Sequence, residues 1–378
     1  MLTSRFGSGY GMGYSAYKEA SAFVARGHVV TVIHCNANVV SFECPGINLQ
    51  FLPSIKTPII DFVYLFFSLK KVFKTVNISS FDVVYIQSLE FGLMNLKNIN
   101  KPIFYFARST MLGMRKVLDY EDHKLIGLQK LNFNILVWLE KRCLHYSRNV
   151  FIKSRLMAKE LNQLYDVTLG KMKVISGGVD SNDFVLTKLD VVEQVRKSLR
   201  LSNNSIVLLY AGRIVPQQGL IYLVQAVLAL LSKHNIELVI AGEATNKAYL
   251  NKIISIIDRT SYKNVFHFIG HVNQLEMSKV YSLANCLVMP SLYEPFGMVA
   301  LQAAFLGKSV ITSSVAGVIE VLEKYDNCRV VGQVSVGSLK KAILEFIEEE
   351  RKNDQGLDLN SLTWEKVAKN MINNFKSI

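Results

Sequence analysis

NCLVMPSLYEPFGMVALQAAFLGK, residues 285–308, changes its pattern halfway along. Its first residues are apolar and end at Pro290, which reads as a buried strand. From Met298 the apolar positions read as a helix that stops at Gly307. Between the two stand Glu294 and a Pro-Phe-Gly turn. A glycine at such a junction lets the backbone approach a ligand closely. The first free N–H groups of a helix attract anions. The stretch thus sets an acid, Glu294, beside a candidate phosphate cradle formed by Phe296, Gly297, Met298 and Val299.

The alternation continues outward on both sides. Toward the N-terminus of the second half, SIVLLYAG (205–212), IELVIAGE (236–243) and NVFHFIG (264–270) read as strands, with helical stretches between them. SVITSS (309–314) follows as a further strand. In the first half HVVTVIHC (28–35), FDVVYIQ (81–87), PIFYFAR (102–108), NVFIKS (149–154) and MKVISGGV (172–179) are strand-like. The segments YSAYKEASAFVAR and RLMAKELNQL are helical. Strands that alternate with helices predict parallel βαβ units with helices on both sheet faces. The 378 residues are too many for one ordinary core. The expectation is two doubly wound α/β domains, 1–185 and 186–358, with a closing helix in 359–378 that returns to the first domain. The first domain has an irregularity: only the half-polar LTSRF precedes its glycine-rich loop. Its opening strand is therefore expected to be short or missing, vestigial or continued by residues further upstream.

Four glycine-bearing junctions follow strands. GSGYGMGYSAY (7–17) holds Gly11 and Gly13 but is not a clean dinucleotide fingerprint, and a tight turn explains it equally well. AGRIVPQQGL (211–220) places Arg213 directly after a strand, where a guanidinium can grip a diphosphate or simply face water. AGEATN carries Gly242, and the fourth junction is the stretch quoted first. Parallel sheets collect ligands at the carboxyl ends of their strands. Two such domains facing across a cleft would hold a nucleotide-diphosphate ligand between anion-binding loops.

The formal net charge is +13. Residues 1–190 carry 23 Lys and Arg against 14 Asp and Glu, so most of the excess lies in the first half. A basic face fits phosphorylated substrates or anionic lipid; no short basic tract or RNA-binding signature points to nucleic acid. Cys35, Cys44, Cys143, Cys286 and Cys328 form no CxxC pair and no zinc spacing. They read as reduced thiols of a cytoplasmic protein. The longest apolar run, TPIIDFVYLFFSL (57–69), is broken by Asp61 and too short to span a bilayer. With Lys70, Lys71 and Lys74 behind it, it reads either as a core helix or as a segment lying on a membrane surface. No Ser/His/Asp or Cys/His arrangement follows from the spacing. His28 reads as structural, His123 in YEDHK as solvent-facing, and His267 and His271 as non-catalytic.

Taken in order, the motifs resemble the retaining GT-B glycosyltransferases of family 4 (glycosyl transferases group 1). GYGMGYSAYKEASAFVARGHVVTVI is similar to that family's opening loop, helix and RGH strand. SGGVDSNDF is similar to its interdomain segment, AGRIVPQQGL to its G-R-x-x-x-x-K-G, and TWEKVAKNMINNF to its closing helix. Residues 264–312 resemble its donor region throughout. The likeness spans roughly residues 10–375. It implies an enzyme that moves a sugar from a nucleotide-diphosphate-sugar donor, a substrate rather than a cofactor, to an acceptor hydroxyl with retention and without a metal. Glu294 would contact the sugar hydroxyls and the N–H groups after it the diphosphate. Arg213 would neutralise the leaving group, Gly11 and Gly13 would approach the phosphates, and Glu320 would be structural.

The chain departs from the family pattern at three places. Gln218 stands where the family has its phosphate lysine, and Gln302 where it has a ribose-binding glutamate. Ala107, Arg108 and Ser109 occupy the place of a first-domain histidine. Arg108 then reads either as a ligand contact or as half of a structural ion pair. The two glutamines motivate a second reading, a non-catalytic GT-B protein that binds a sugar or a partner transferase. A nucleotide-sugar epimerase or a phosphorylase of similar architecture is a third. The basic first half and residues 58–74 favour a lipid-linked or membrane-surface acceptor, or a glycan, reached by peripheral membrane contact.

Overall fold

The computed structural model describes residues 1–7, 11–35, 45–54, 60–120, 125–180, 184–273, 276–349 and 362–377. The chain divides into two compact units, Met1–Gly178 with Leu362–Ile378, and Val179–Ser361. The division falls after Gly178 and after Ser361, where the sequence reading set it at 185 and 358.

The first unit runs β1 (Leu2–Thr3), α1 (Gly11–Val24), β2 (Val30–His34), β3 (Ile47–Phe51), α2 (Ile60–Thr75), β4 (Val84–Ile86) and β5 (Ile103–Phe106). It continues with α3 (Met111–Tyr120), α4 (Gly127–Tyr146), β6 (Asn149–Ile152), α5 (Arg155–Tyr165) and β7 (Met172–Val174). Its seven strands are parallel, in the order β3-β2-β1-β4-β5-β6-β7. The opening strand is present and central despite its two residues. Leu2 lies beside Ile33 of β2 and Ile86 of β4.

Central parallel strands are covered on both faces, so they carry uninterrupted apolar runs. All four residues of β5 are buried. One face packs on Leu65 and Leu69 of α2, Cys143 and Leu144 of α4, and Met157 and Leu161 of α5. The other packs on Ala16, Ala20 and Phe23 of α1, spaced so that one helical stripe meets the sheet.

The second unit runs α6 (Leu189–Ser198), β8 (Ile206–Ala211), α7 (Leu220–Leu228), β9 (Ile236–Ala241), α8 (Lys247–Asp258), β10 (Phe266–Gly270) and α9 (Met277–Leu283). Then come β11 (Cys286–Met289), α10 (Met298–Phe305), β12 (Ser309–Ser313), α11 (Ile319–Leu322), β13 (Cys328–Val331) and α12 (Val336–Glu348). Its six parallel strands lie in the order β10-β9-β8-β11-β12-β13. The last helix, α13 (Trp364–Lys376), belongs to the first unit, where Trp364, Val367, Ala368 and Met371 pack beside α1.

Strand order reverses between β8 and β11 in the second sheet and between β1 and β4 in the first. At such a switch point the loops leaving neighbouring strands diverge and open a crevice.

Candidate active site

The crevice of the second unit is bounded by the loops that leave β8 and β11. The β8 loop makes a 3-10 turn, Pro216–Gln218, and reverses at Gly219 with φ +66°. A Cβ on Gly219 would stand 1.9 Å from the Pro290 carbonyl oxygen, and one on Gly242 would stand 1.7 Å from that of Gly212. Glycine at these two positions is what lets the strand-end loops close on one another. The Leu292 N–H donates to the Gln217 carbonyl at 2.8 Å, which ties the β8 and β11 loops together. Gln218 therefore lies against Glu294. Its amide nitrogen donates to Glu294 Oε2 at 3.3 Å, and its amide oxygen accepts from Ser291 Oγ at 3.2 Å.

Glu294 is half-buried as a residue, with its carboxyl enclosed by the two loops. The Phe296 N–H reaches Glu294 Oε1 at 3.4 Å. Burial pushes this carboxyl above the usual carboxylate range. The Gln218 amide, the Phe296 N–H, the charge of Arg213 and the Gly297 N–H oppose the rise. A lysine at position 218 would have held the carboxylate ionised; the neutral amide does so only weakly. Arg213 is exposed, and its carbonyl accepts from the Tyr210 hydroxyl at 2.7 Å, which fixes the start of the loop.

After Glu294 the chain is pinned by Ala316 and Val318. Glu294 bridges to Ala316, and the Val318 N–H donates to the Phe296 carbonyl at 2.6 Å. The Phe296 side chain is core. Gly297, at φ +104°, then turns the backbone into α10, and a Cβ there would meet Met289 Cε at 2.7 Å. In the first turn of that helix Met298 and Val299 have no intrahelical acceptor for their N–H groups. Gln302, one turn on, is buried, and its amide oxygen accepts from the Tyr281 hydroxyl at 2.9 Å. Glu294, Arg213, Gln218, Gly242 and residues 296–299 thus share the carboxyl edge of one sheet. Gln302 points its oxygen into the core.

Gly11 and Gly13 belong to the first unit, at the start of α1. Gly13 is close-packed, since a Cβ there would meet the Gly7 carbonyl oxygen and the Phe6 nitrogen at 3.4 Å. Gly11 is exposed, and a Cβ there would meet no described residue within 4 Å.

At the strand ends of this first sheet lies a cluster that the sequence did not reveal. Glu19 of α1 is fully buried. Its Oε2 accepts from the Tyr85 hydroxyl at 2.8 Å and from Gln87 Nε2 at 2.6 Å. Its Oε1 pairs with Arg108 Nη2 at 3.1 Å, and the same Nη2 donates to Gln87 Oε1 at 2.8 Å. Of the two readings of Arg108, the structure supports the ion pair. Lys153, just past β6, is buried near the Phe106 ring that Arg108 also covers. Burial first, and then the charge of Arg108, lower its ammonium pKa to about 7, against the pull of Glu19.

His267 bonds to Glu237 at 2.6 Å, far along its strand from the carboxyl edge. Cys35, Cys143, Cys286 and Cys328 are thiols; Cys44 and His123 lie outside the described residues. Among the described residues no group of three or more His, Cys, Asp and Glu side chains is placed to hold a metal ion. Among them, too, no helix is long and apolar enough to cross a membrane.

Two family models match in tandem. "Glycosyltransferase Family 4" covers residues 10–183 and "Glycosyl transferases group 1" covers residues 191–361. An uncharacterized glycosyltransferase of Methanocaldococcus jannaschii is 26% identical over 94% of this chain and 92% of its own length. A glycogen synthase of Mycobacterium tuberculosis is 30% identical over 44% of this chain and 37% of its own. Among solved structures, Anabaena HepE in complex with UDP-glucose superposes with a TM-score of 0.79 at 17% identity, covering 100% of this chain and 99% of HepE. Sucrose-phosphate synthase from Thermosynechococcus elongatus gives 0.76 at 18% identity, covering 100% of this chain and 93% of its own. The chain belongs to the family 4 glycosyltransferases and has their GT-B fold.

Proposed function

We propose that this glycosyltransferase moves a hexosyl group from a nucleotide-diphosphate-sugar to an acceptor hydroxyl, with retention of configuration and without a metal. The observation that carries the reading is the placement of Glu294. It is an enclosed carboxyl at the switch point, two residues before the Phe296–Gly297 turn that opens α10, with Arg213 on the adjoining loop. Glu294 receives hydrogen bonds from the sugar hydroxyls. The N–H groups of Met298 and Val299 bind the diphosphate. The bond from the anomeric carbon to the diphosphate oxygen breaks, and Arg213 stabilises the charge that develops there. The departing oxygen takes the proton of the acceptor hydroxyl as the new glycosidic bond forms on the same face. No protein nucleophile is required. Gly11, Gly13, Gln218 and Gly242 serve as donor contacts, and HepE, which has this fold and was solved with UDP-glucose, supports that class of donor.

One observation favours a second reading, a GT-B protein that binds without turning over. Gln218 offers the diphosphate no charge, and the Gln302 oxygen is committed to Tyr281. Titration with a panel of nucleotide-diphosphate-sugars, followed by melting temperature and by release of nucleoside diphosphate, separates the two. Ligand at a hundred times its dissociation constant stabilises the fold by about 2.7 kcal/mol. A selective shift with release of nucleotide establishes transfer and identifies the donor. A shift without release in the presence of candidate acceptors favours the binding protein, and no shift with any donor removes the site assignment.

A further inference from the structure

Large apolar side chains on the surface are ordinary when scattered, but a contiguous patch of them marks an interaction surface. The first unit exposes large apolar side chains on two helices that pack on the same 3-10 turn, Leu89–Leu93. On α2, Phe67 is 63% exposed, with Val63 and Phe66 beside it. On α4, Leu128 is 72% and Trp138 52% exposed, with Leu131 between them. The opposite sides of both helices pack into the same core layer, through Leu65 and Leu69 and through Cys143 and Leu144. Both helices therefore cover one face of the sheet, and their apolar outer residues turn away from it.

Among the described side chains of the two helices, every exposed charge is basic. Lys70, Lys71, Lys130 and Lys141 are exposed. The only acid in α4, Glu140, is buried, and Asp61 at the start of α2 is that helix's only acid. Lys70 Nζ sits 4.2 Å from the centroid of the Phe66 ring, so its stem follows an apolar surface while its head stays wet. A second copy of the chain, docked by the same face, would set these lysines against each other.

At the C-terminal half of α4 the patch runs into a cavity of about 640 Å³. Trp138, Lys141, Arg142, His145 and Lys171 line it, with Asp166 the only carboxylate among the described residues. Its cations are held in place. Arg142 donates to the Gly92 carbonyl at 2.8 Å and the Met94 carbonyl at 3.0 Å, with its guanidinium over Trp138. Lys171 donates to the Leu144 and His145 carbonyls at 2.6 and 3.0 Å.

We propose that α2 and α4 form a docking face for an anionic lipid bilayer, with a lipid phosphate entering the basic cavity beside Trp138. The aromatic and aliphatic side chains sit at the boundary between headgroups and acyl chains, and the lysines meet the anionic surface. This inference concerns where the enzyme works and stands apart from transfer itself.

The test is flotation of the purified full chain with vesicles of phosphatidylglycerol or of phosphatidylcholine. Wild type is expected to float with phosphatidylglycerol alone and to be released as salt is raised. The double variant Phe67→Ser/Trp138→Ser should stay at the bottom of the gradient with an unchanged melting temperature, both side chains being exposed. Lys130→Gln and Lys141→Gln should each weaken partitioning roughly fivefold. Equal flotation on both lipids, no flotation, or a double variant that floats like wild type overturns the proposal. So does a solution dimer that the double variant dissociates. Release of nucleotide from donor in free solution is unaffected in every case, so failure here leaves the proposed transfer standing.

Discussion

At the switch point of the second sheet, the Glu294 carboxyl has two long hydrogen bonds, 3.3 Å from Gln218 and 3.4 Å from the Phe296 N–H, and Arg213, whose charge acts on it, is exposed. At the strand ends of the first sheet, Glu19 is fully buried and gripped by Tyr85, Gln87 and Arg108 at 2.6 to 3.1 Å. One parallel α/β architecture has two outcomes. Glu19 is satisfied by its own unit and clamps α1 to the ends of β4 and β5. Glu294 is enclosed but poorly partnered, and burial pushes its pKa up. A carboxyl in that state gains from a ligand that brings donors to it, and such groups collect at functional sites.

The same substitution in the two places tests this difference most directly. Glu19→Gln leaves the Arg108 guanidinium, with buried Lys153 beside it, without a carboxylate. Removing one partner of a buried pair typically costs about 3–5 kcal/mol, and the denaturant midpoint of the first unit should fall accordingly. Glu294→Gln keeps the shape and removes a carboxyl that burial disfavours in its charged form, so stability should hold or rise. Sugar transfer should fall roughly 10²–10³-fold, the usual cost of losing one transition-state contact. Two equal stability losses would erase the contrast.

A pH series sharpens the comparison with a smaller effect. Burial pushes Glu140 of α4 up to about 7, offset by hydrogen bonds from Tyr165 and the Met111 N–H and reinforced by Glu160. Its folded pKa lies above the unfolded value of 4.5, so the native state holds the proton more tightly. The stability this gives is full below pH 4.5 and is lost as pH rises to about 7, amounting to about 3 kcal/mol. Lys153 has the opposite sign. Its pKa falls from 10.5 to about 7, so its contribution is full above pH 10.5 and is lost as pH falls to about 7. The first unit should therefore be least stable near neutrality. Glu140→Gln should flatten the acid limb and Lys153→Met the alkaline one, read from urea midpoints. Glu294 slopes the same way as Glu140, but within the second unit, so Glu294→Gln should leave the first unit's acid limb in place.

The sequence was most legible where the signal is local. β8, β9, β10, β11 and β12 are mainly apolar runs ended by glycine, proline or serine, and each emerges within a residue or two of its expected span. Gly297 announced the turn that follows Glu294 and opens α10. The long-range features were silent. Glu19 sits in YKEAS, which looks like the wet side of a helix, and its partners arrive from Tyr85, Gln87 and Arg108, more than sixty residues on. Gln302 was expected to face a ribose, yet its oxygen accepts from the hydroxyl of Tyr281 on α9, 21 residues earlier. The strand β3 and the helix α4, with its exposed apolar stripe, were not assigned at all. β3 is half polar, and the stripe on α4 mimics a core face.

The smallest expected effect is at Gly11. The glycines of the second unit are fixed by packing; a Cβ on Gly242 or Gly219 would run into backbone oxygen. At Gly11 a Cβ meets none of the described residues, and the residue begins a helix, where alanine is the better former. Gly11→Ala should therefore change stability by no more than about 0.5 kcal/mol, with the sign toward gain because the unfolded chain loses freedom. Packing gives no reason for glycine there, so any cost has to appear with ligand bound. If the α1 loop approaches the donor phosphates, the variant will melt like wild type and show a raised KM for donor. A variant unchanged in both melting temperature and KM removes Gly11 from the site and leaves the donor contacts to the second unit alone.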